Sequence, residues 1–583
     1  MIPSDAGNLI DLVRARAADS PDRTVFTFLR DGLVPTDAVT FADLDRRARE
    51  TAAWLQARFP SGARVLLLHP PGIEFTVAFL GCVYAGLVAI PAYPPRGREI
   101  DPRIRAIASD AQAALALTTL DLLPRLTALS DADRTTPGAS DFARLQWAAS
   151  DALTGVSAGA WRDPVPSGDT PAHLQYTSGS TATPKGVIVT HRNLLRNLLD
   201  MHLGWQHDAD SVIVSWLPHF HDMGLVYGLL EPIFAGVPCY QMPPVAFIQK
   251  PVRWLQAITT FKATHSAAPN FAYDLCVRKI KPDDRLTLDL GSWVVAVNGA
   301  EAVRAETMSR FVDTFGPAGF RDEVLCPGYG LAEATLKVTA SPRGQRPVRL
   351  TVDGGALNRS RVVVADAAAD GARTLVGCGA SAIDTEVAIV DPDSRRRCGQ
   401  DGVGEVWVAG SSVAAGYWNR PAETAETFGA VLTGESHGPF LRTGDLGFLR
   451  DGQLYIVGRL KDLIIIRGQN YYPQDLEQTV EAIGPGVRSH GCAAFSVEID
   501  GEERLIVAQE IERAARDADA AEIAGRIRQR VAEAFEVQVY DVVILREGAL
   551  PRTSSGKIQR QACRLAYTGG TFEGRVTQIA PSS

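Results

Sequence analysis

A chain of 583 residues is too long for a single hydrophobic core, so several lobes are expected. Its 46% hydrophobic residues describe an ordinary globular protein, and a net charge of −8 without any dense basic run excludes a nucleic-acid surface. The eight cysteines are scattered with no CxxC pair, which excludes a disulfide frame or zinc ribbon and predicts reduced thiols in a cytoplasmic protein lacking a signal peptide.

In chain order, the first 170 residues alternate between helical and strand patterns. An amphipathic helix starts at Leu9, residues 24–29 alternate like a strand, residues 41–59 are helical, and residues 64–69 form a short buried strand. Residues 75–92 carry no charge and approach the length of a membrane span, but Gly81, Gly86 and Pro91 interrupt them. A buried helix over 73–85, stopped at Gly86 and feeding a strand over 87–90, is the simpler reading, so no membrane span is expected. A helix over 104–113 and a strand over 114–118 come next; residues 124–171, rich in Ala, Ser, Asp and Pro, read as mostly surface connection.

The alternation resumes over 211–339, with strands at 211–215 and 293–297 and helices at 251–261 and 305–315. Strands alternating with helices imply an α/β fold with a parallel sheet covered on both faces. Residues 340–410 change to short Val-rich strands separated by Gly and Asp, as in a small β subdomain. The chain restarts with the apolar run 463–466, a helix from Pro473, a hairpin over 493–510 around Asp500-Gly501, a helix over 519–535 and a strand over 541–545. That order predicts a compact α+β domain of about a hundred residues.

The stretch YTSGSTATPKG (176–186) carries the first chemistry. Its hydroxyls and Gly179 can bring donors close to a polyphosphate, and Lys185 adds positive charge; the same composition also makes an ordinary flexible turn. A strand-like run follows the loop, so neither order nor spacing fits a Walker A site. In SWLPHFHDMGL (215–225), His219, His221 and Asp222 lie among apolar residues, as in the polar wall of a substrate pocket or a structural histidine pair; zinc-ligand spacing is absent.

NGAE (298–301) and GYGLAEAT (328–335) each place glycine and one acid at the end of an apolar strand, where open parallel sheets bind ligands. Tyr329 offers a face for stacking a base and Glu333 a carboxylate for Mg²⁺, although either stretch alone reads equally as a capped turn. In RTGDLG (442–447), followed by Gly458-Arg459, Asp445 can accept both ribose hydroxyls or sit in a polar turn. Lys557 in PRTSSGKIQR (551–560) lies on a glycine-containing loop.

Together, YTSGSTATPKG, NGAE, GYGLAEAT, RTGDLG, GRLKD and PRTSSGK resemble, in order, the motifs of the adenylate-forming superfamily of acyl- and aminoacyl-activating ligases. Within it the chain is most similar to the fatty acyl-AMP ligases, through SWLPHFHDMGL (215–225), FIQKPVRW (247–254), APNFAYDLC (268–276) and IIIRGQNYYPQD (464–475). Two positions depart from the common pattern: Ala182 stands where glycine is usual, and Gln469 where a basic residue is frequent.

The resemblance implies two half-reactions, adenylation of a fatty carboxylate by ATP and transfer of the acyl group to a thiol. It implies that Thr177, Ser178, Gly179, Ser180, Thr181 and Lys185 cradle the phosphates, and that Glu333 holds Mg²⁺. Asn298, Gly299, Ala300 and Glu301, with Gly328, Tyr329 and Gly330, would hold adenine, and Asp445 and Arg459 the ribose. Lys557 would be the mobile catalytic lysine that offsets repulsion between carboxylate and phosphate. His221 would orient the carboxylate, in an acyl site formed with Trp216, Asp222, Met223, Pro269, Asn270 and Phe271.

The implied domains are 1–460, with a family-specific insertion at about 343–374, a hinge at Lys461-Asp462, and a mobile lid over 463–583. The insertion is thought to hinder the arrangement that accepts CoA. The acceptor is then the phosphopantetheine thiol of a separate acyl carrier protein in a polyketide or nonribosomal peptide system. The alternative is a fatty acyl-CoA synthetase.

Overall fold

The computed structural model describes residues 6–95, 97, 100–134, 141–177, 184–435, 438–466, 469–499, 502–512, 520–553 and 556–576. Among them, two large sheets fill the N-terminal part. One runs Gln146–Ala149, Leu115–Thr118, Arg64–Leu67, Val88–Pro91, Pro171–Tyr176, Gly186–Thr190, parallel except for the final antiparallel hairpin. Three of its four inner strands, Leu115–Thr118, Arg64–Leu67 and Val88–Pro91, are four residues long and mostly apolar, as parallel strands covered on both faces must be.

The second sheet has the order Lys337–Ala340, Leu325–Gly330, Val295–Gly299, His265–Pro269, Ile213–Ser215, Cys239–Gln241, Thr24–Leu29, Pro35–Thr40. It is antiparallel only at its two edges. At the C-terminal ends of its strands Pro269 pairs with Gly299, and the next strand runs on to Gly330.

The uncharged stretch is the helix Ile73–Tyr84, buried almost along its whole length, followed by the strand Val88–Pro91. Gly81 lets this helix press on the helix Phe41–Gln56: a Cβ there would lie 2.4 Å from Thr51 Cγ2. Apolarity on every face therefore records packing between layers, and no described helix is long and apolar enough to cross a membrane.

Residues 124–171 are more ordered than their composition predicts. They contain most of the helix Leu123–Arg134 and the edge strand Gln146–Ala149, paired in parallel with Leu115–Thr118. The helix buries Leu126, Ser130 and Asp133, with Leu129 partly buried against the same core, so its inner face mixes apolar and polar residues and the periodicity is faint.

The β subdomain extends beyond 410. Glu386–Val390, Gly404–Ala409, Leu441–Arg450 and Gln453–Arg459 form an antiparallel four-stranded sheet, while Arg349–Asp353 and Ala372–Val376 form a separate hairpin. In the small C-terminal domain, Val487–Ile499 and Glu502–Ile511 are antiparallel, and Val539–Leu545 adds in parallel. The helices Pro473–Glu481 and Ala520–Phe535 supply Leu476, Val480, Ile523, Ile527 and Val531 to that domain's core.

Candidate active site

The site is built where strand ends of the second sheet meet the long hairpin Leu441–Arg450/Gln453–Arg459 and a loop of the C-terminal domain. Gly328 to Gly330 end a strand whose neighbour returns tightly: a Cβ on Gly330 would lie 1.9 Å from the Leu336 carbonyl oxygen, so only glycine fits. That close turn delivers Tyr329, whose hydroxyl donates to Asp445 Oδ2 at 2.7 Å. Arg459 Nε donates to the other oxygen, Asp445 Oδ1, at 2.9 Å. Asp445 is buried and held on both oxygens, while the Arg459 side chain remains 58% exposed. Burial, then the neighbouring Asp445 charge, raise the Tyr329 phenol, keeping it a donor.

Lys557 reaches this cluster from the C-terminal domain. Its loop is closed by Thr553: Thr553 N–H donates to the Lys557 carbonyl at 2.8 Å, and Lys557 N–H donates to Thr553 Oγ1 at 3.0 Å. Arg552, on the same loop, donates to the His490 carbonyl at 2.6 Å, tying the loop to its own domain. Lys557 is half-buried, and burial lowers its ammonium while Asp222, Glu301 and Asp445 pull it back up and Arg459 opposes them. One cation thus stands within electrostatic reach of three carboxylates from three separate predicted motifs.

Asp222 begins the π-helix Met223–Leu230, capping it by accepting the Met223 N–H at 2.6 Å. His221 Nδ1 lies 2.5 Å from Asp222 Oδ1. Burial acts to raise the Asp222 carboxyl, but His221, Lys557 and the Met223 N–H outweigh it and hold the group below its ordinary value. A π-helical segment is uncommon and recurs at functional sites, because its wider turn re-aims the residues at its ends.

Glu333 sits on the short turn Ala332–Ala334. Burial raises its carboxyl, opposed by the Tyr417 hydroxyl, which donates to Glu333 Oε1 at 2.9 Å, and by Arg459. Tyr417 also receives Lys185, whose Nζ lies 5.0 Å from the ring centroid and is ion-paired with Glu423. The Thr177 carbonyl accepts from Arg103 Nη2 at 2.6 Å, and Thr177 N–H donates to the Lys185 carbonyl at 3.2 Å, closing the base of the loop. Ser178, Gly179, Ser180 and Thr181 lie outside the described residues.

Not every residue of the NGAE turn faces the site. Asn298 is fully buried and donates to Asn270 Oδ1 at 3.3 Å, joining two adjacent strand ends. Glu301 Oε1 accepts the Phe271 N–H at 2.5 Å, and Ala300 takes a positive φ of 64°. Ala300 and Glu301 are the partly exposed residues of the turn, while Asn298 and Gly299 are buried. Beside it, Trp216 stacks on Phe247 at 4.0 Å and meets Phe271 edge-on at 6.2 Å, an aromatic wall next to Pro269 and Met223.

Sequence reading missed Tyr417, Glu423 and Arg103. The signal available was the run Gly416-Tyr-Trp-Asn-Arg420, aromatic residues among small ones, which pairs with the strand Gly186–Thr190 through the Ile188 N–H and the Gly416 carbonyl. Replacing Tyr417 by Phe removes a charge-assisted hydrogen bond and is expected to slow adenylation about tenfold. It also removes a donor to the ionised form of Glu333, so the acid limb of the pH–rate profile moves to higher pH; pyrophosphate release followed from pH 5 to 9 checks both.

Lys461 is exposed and Asp462 half-buried on the turn Leu460–Asp462, between the last strand of the four-stranded sheet and the C-terminal domain. Asp462 Oδ2 accepts Arg560 Nη1 at 2.9 Å, and Arg560 forks onto both oxygens of Glu477 at 2.7 Å.

The family described as "AMP-binding enzyme" matches residues 13–418, and "Disco-interacting protein 2-like, AMP domain" matches residues 461–575. A medium-chain-fatty-acid–[acyl-carrier-protein] ligase, JamA of Moorena producens, is 46% identical, covering 98% of this chain and 97% of the relative. A 4-hydroxyphenylalkanoate adenylyltransferase of Mycobacterium marinum is 37% identical over 97% of this chain and 92% of its own. The crystal structure of a fatty acyl-adenylate ligase from L. pneumophila, in complex with acyl adenylate and pyrophosphate, superposes with a TM-score of 0.76 at 39% identity, covering 98% of each chain. The chain belongs to the AMP-binding enzyme family and, within it, to the fatty acyl-AMP ligases.

Proposed function

We propose that this chain activates a fatty acid with ATP, releasing pyrophosphate, and passes the acyl group to the phosphopantetheine thiol of a separate acyl carrier protein. The observation that carries the reading is the delivery of Lys557 beside the Tyr329–Asp445–Arg459 cluster, within reach of Asp222 and Glu301. A carboxylate oxygen attacks the α-phosphorus and pyrophosphate leaves with the electron pair of the broken P–O bond. The carrier thiolate then attacks the acyl carbonyl carbon, and AMP leaves.

In this reading Asp445 and Arg459 hold the ribose, the Ala300 turn and Tyr329 the adenine, and Thr177 and Lys185 the phosphates. Lys185, ion-paired with Glu423, exchanges that partner for phosphate. Lys557 bridges carboxylate and α-phosphate, two anions that would otherwise repel, and no general base is needed because the fatty carboxylate is already ionised. His221 and Asp222 line the entry of the carboxylate, and the Trp216–Phe271 wall borders the acyl chain.

Glu333 suits Mg²⁺ as a half-buried oxygen ligand whose ionisation burial disfavours, so a cation beside it is stabilising. Bound there with phosphate oxygens, Mg²⁺ would neutralise charge on the departing pyrophosphate.

We place the large domain at 1–460, the hinge at Lys461-Asp462 and the lid at 463–583, with 343–374 as the segment that discriminates against CoA. That segment engages the lid directly. Arg373 Nη1 lies 2.5 Å from Asp475 Oδ2, its guanidinium sits 5.6 Å from the Phe535 ring centroid, and Asn470 N–H donates to the Asn358 carbonyl at 3.2 Å. Arg373→Ala is expected to shift lid opening about tenfold and to raise acyl-CoA formation correspondingly. We place the protein in the cytoplasm: all eight cysteines are free, and seven of them are buried.

Mass spectrometry of incubations with ATP, Mg²⁺ and dodecanoate, with CoA or with a holo carrier protein, tests the whole reading. Acyl-adenylate that survives CoA and is consumed by the carrier supports it. Rapid acyl-CoA formation makes the chain a fatty acyl-CoA synthetase instead.

A further inference from the structure

On the far side of the π-helix from His221, a second cluster lies in the protein interior. His202 is in the last turn of the helix His191–Trp205, His207 follows that helix after the left-handed Gln206, and Glu231 begins the short helix Glu231–Ala235. One ligand-type atom from each lies within 4.8 Å of the others. The His207 and Glu231 side chains are fully buried, and His202 is 12% exposed.

None of these groups has been satisfied by its neighbours. Both oxygens of Glu231, both ring nitrogens of His207 and Nδ1 of His202 lack a hydrogen-bond partner. His207 Nδ1 stands 3.2 Å from Glu231 Oε1, close enough for a hydrogen bond yet not aligned for one. His202 Nδ1 stands 3.9 Å from the same oxygen. Tetrahedral ligands of a zinc-class ion, at about 2.0–2.1 Å from it, are about 3.4 Å apart. The two separations bracket that spacing, and the His202 and His207 rings lie nearly parallel with centroids 5.8 Å apart.

Arg16 and Lys337 favour the charged form of Glu231 electrostatically, while donating hydrogen bonds to other acceptors. His265, stacked on His207 at 4.2 Å, is occupied by Thr264 Oγ1 and the Trp205 carbonyl. Arg16 donates to the Ile233 and Phe234 carbonyls, and Lys337 to Asp200.

We propose that His202, His207 and Glu231 form a structural site for a divalent zinc-class cation, with water as the fourth ligand on the His202 side. The ion joins the end of the helix His191–Trp205 to the end of the π-helix whose opposite end carries His221 and Asp222.

The test uses the full-length protein, purified without metal-affinity steps, stripped with chelator and re-exposed to Zn²⁺ or Co²⁺ before gel filtration. Elemental analysis is expected to find about one zinc per chain, and the cobalt form to show the intense visible absorption of tetrahedral coordination. Both signals should be lost in Glu231→Gln and in the His202→Gln/His207→Gln double variant, each checked for folding by circular dichroism. Wild-type protein that keeps no zinc and develops no cobalt band overturns the proposal, without recourse to any variant. So does equal zinc retention by a folded variant, which would mark binding elsewhere on the surface.

Discussion

Lys557→Ala is expected to lower the rate of pyrophosphate release by about 10²- to 10³-fold while leaving transfer from pre-formed acyl-adenylate to carrier nearly intact. The asymmetry follows from where charge must be met. Lys557 stands in the field of the carboxylates Asp222, Glu301 and Asp445, and in the proposed reaction adenylation adds a carboxylate and a phosphate to those anions, so this cation of the C-terminal domain offsets several repulsions together. In thiol transfer the acyl carbonyl and AMP are already joined, and that cation has no second anion to bridge. Measuring both half-reactions on one preparation decides the matter: equal losses in the two would mean that Lys557 serves folding or lid position, not the chemistry.

The second large effect concerns stability. Lys337 is 4% exposed by side chain and Asp200 fully buried; Lys337 Nζ donates to both the carbonyl and Oδ1 of Asp200 at 2.9 Å. Asp200 also accepts the Ala382 N–H at 2.8 Å and the Ser381 hydroxyl at 3.2 Å, joining a helix of the large domain to the β subdomain. Lys337→Met keeps the aliphatic stem but leaves a buried carboxylate without its cation. The expected cost is about 3–5 kcal/mol, read as a lower denaturant midpoint. The double variant Lys337→Met/Asp200→Asn should recover part of that loss, because the stranded charge is gone.

Alternating strand and helix patterns indicated parallel sheets covered by helices, though not their strand order, and the motif letters singled out Tyr329, Asp445 and Arg459, which the fold joins by hydrogen bonds. What the chain order could not convey was partnership across distance. Tyr417 meets Glu333 over 84 positions and Glu423 meets Lys185 through an ion pair between separate motifs, and no local periodicity encodes either. Asn298 sits in a legible motif, yet its side chain is a buried strap between strand ends, because motif letters do not reveal which way a side chain points. The helix Leu123–Arg134 was hidden because its inner face mixes Leu126 and Leu129 with the polar Ser130 and Asp133. His202, His207 and Glu231 come from three elements at spacings shared with no simple metal motif.

The seam between the large domain and the lid has a mixed chemical character with a thermodynamic consequence. Near the hinge it is apolar: Tyr472 packs among Val352, Leu446 and Val457. Farther out it is ionic, with Arg304–Glu481 at 3.1 Å, His490–Asp274 at 3.0 Å and Arg373–Asp475. In the proposed lid motion, parting the ionic portion would expose little hydrocarbon, so the opening would carry a small heat-capacity change and drift only gently with temperature. Ionic strength acts much more strongly, since partly exposed pairs are screened within a Debye length of about 8 Å at physiological salt. On that proposed motion, the balance between the two half-reactions would respond more to ionic strength than to temperature.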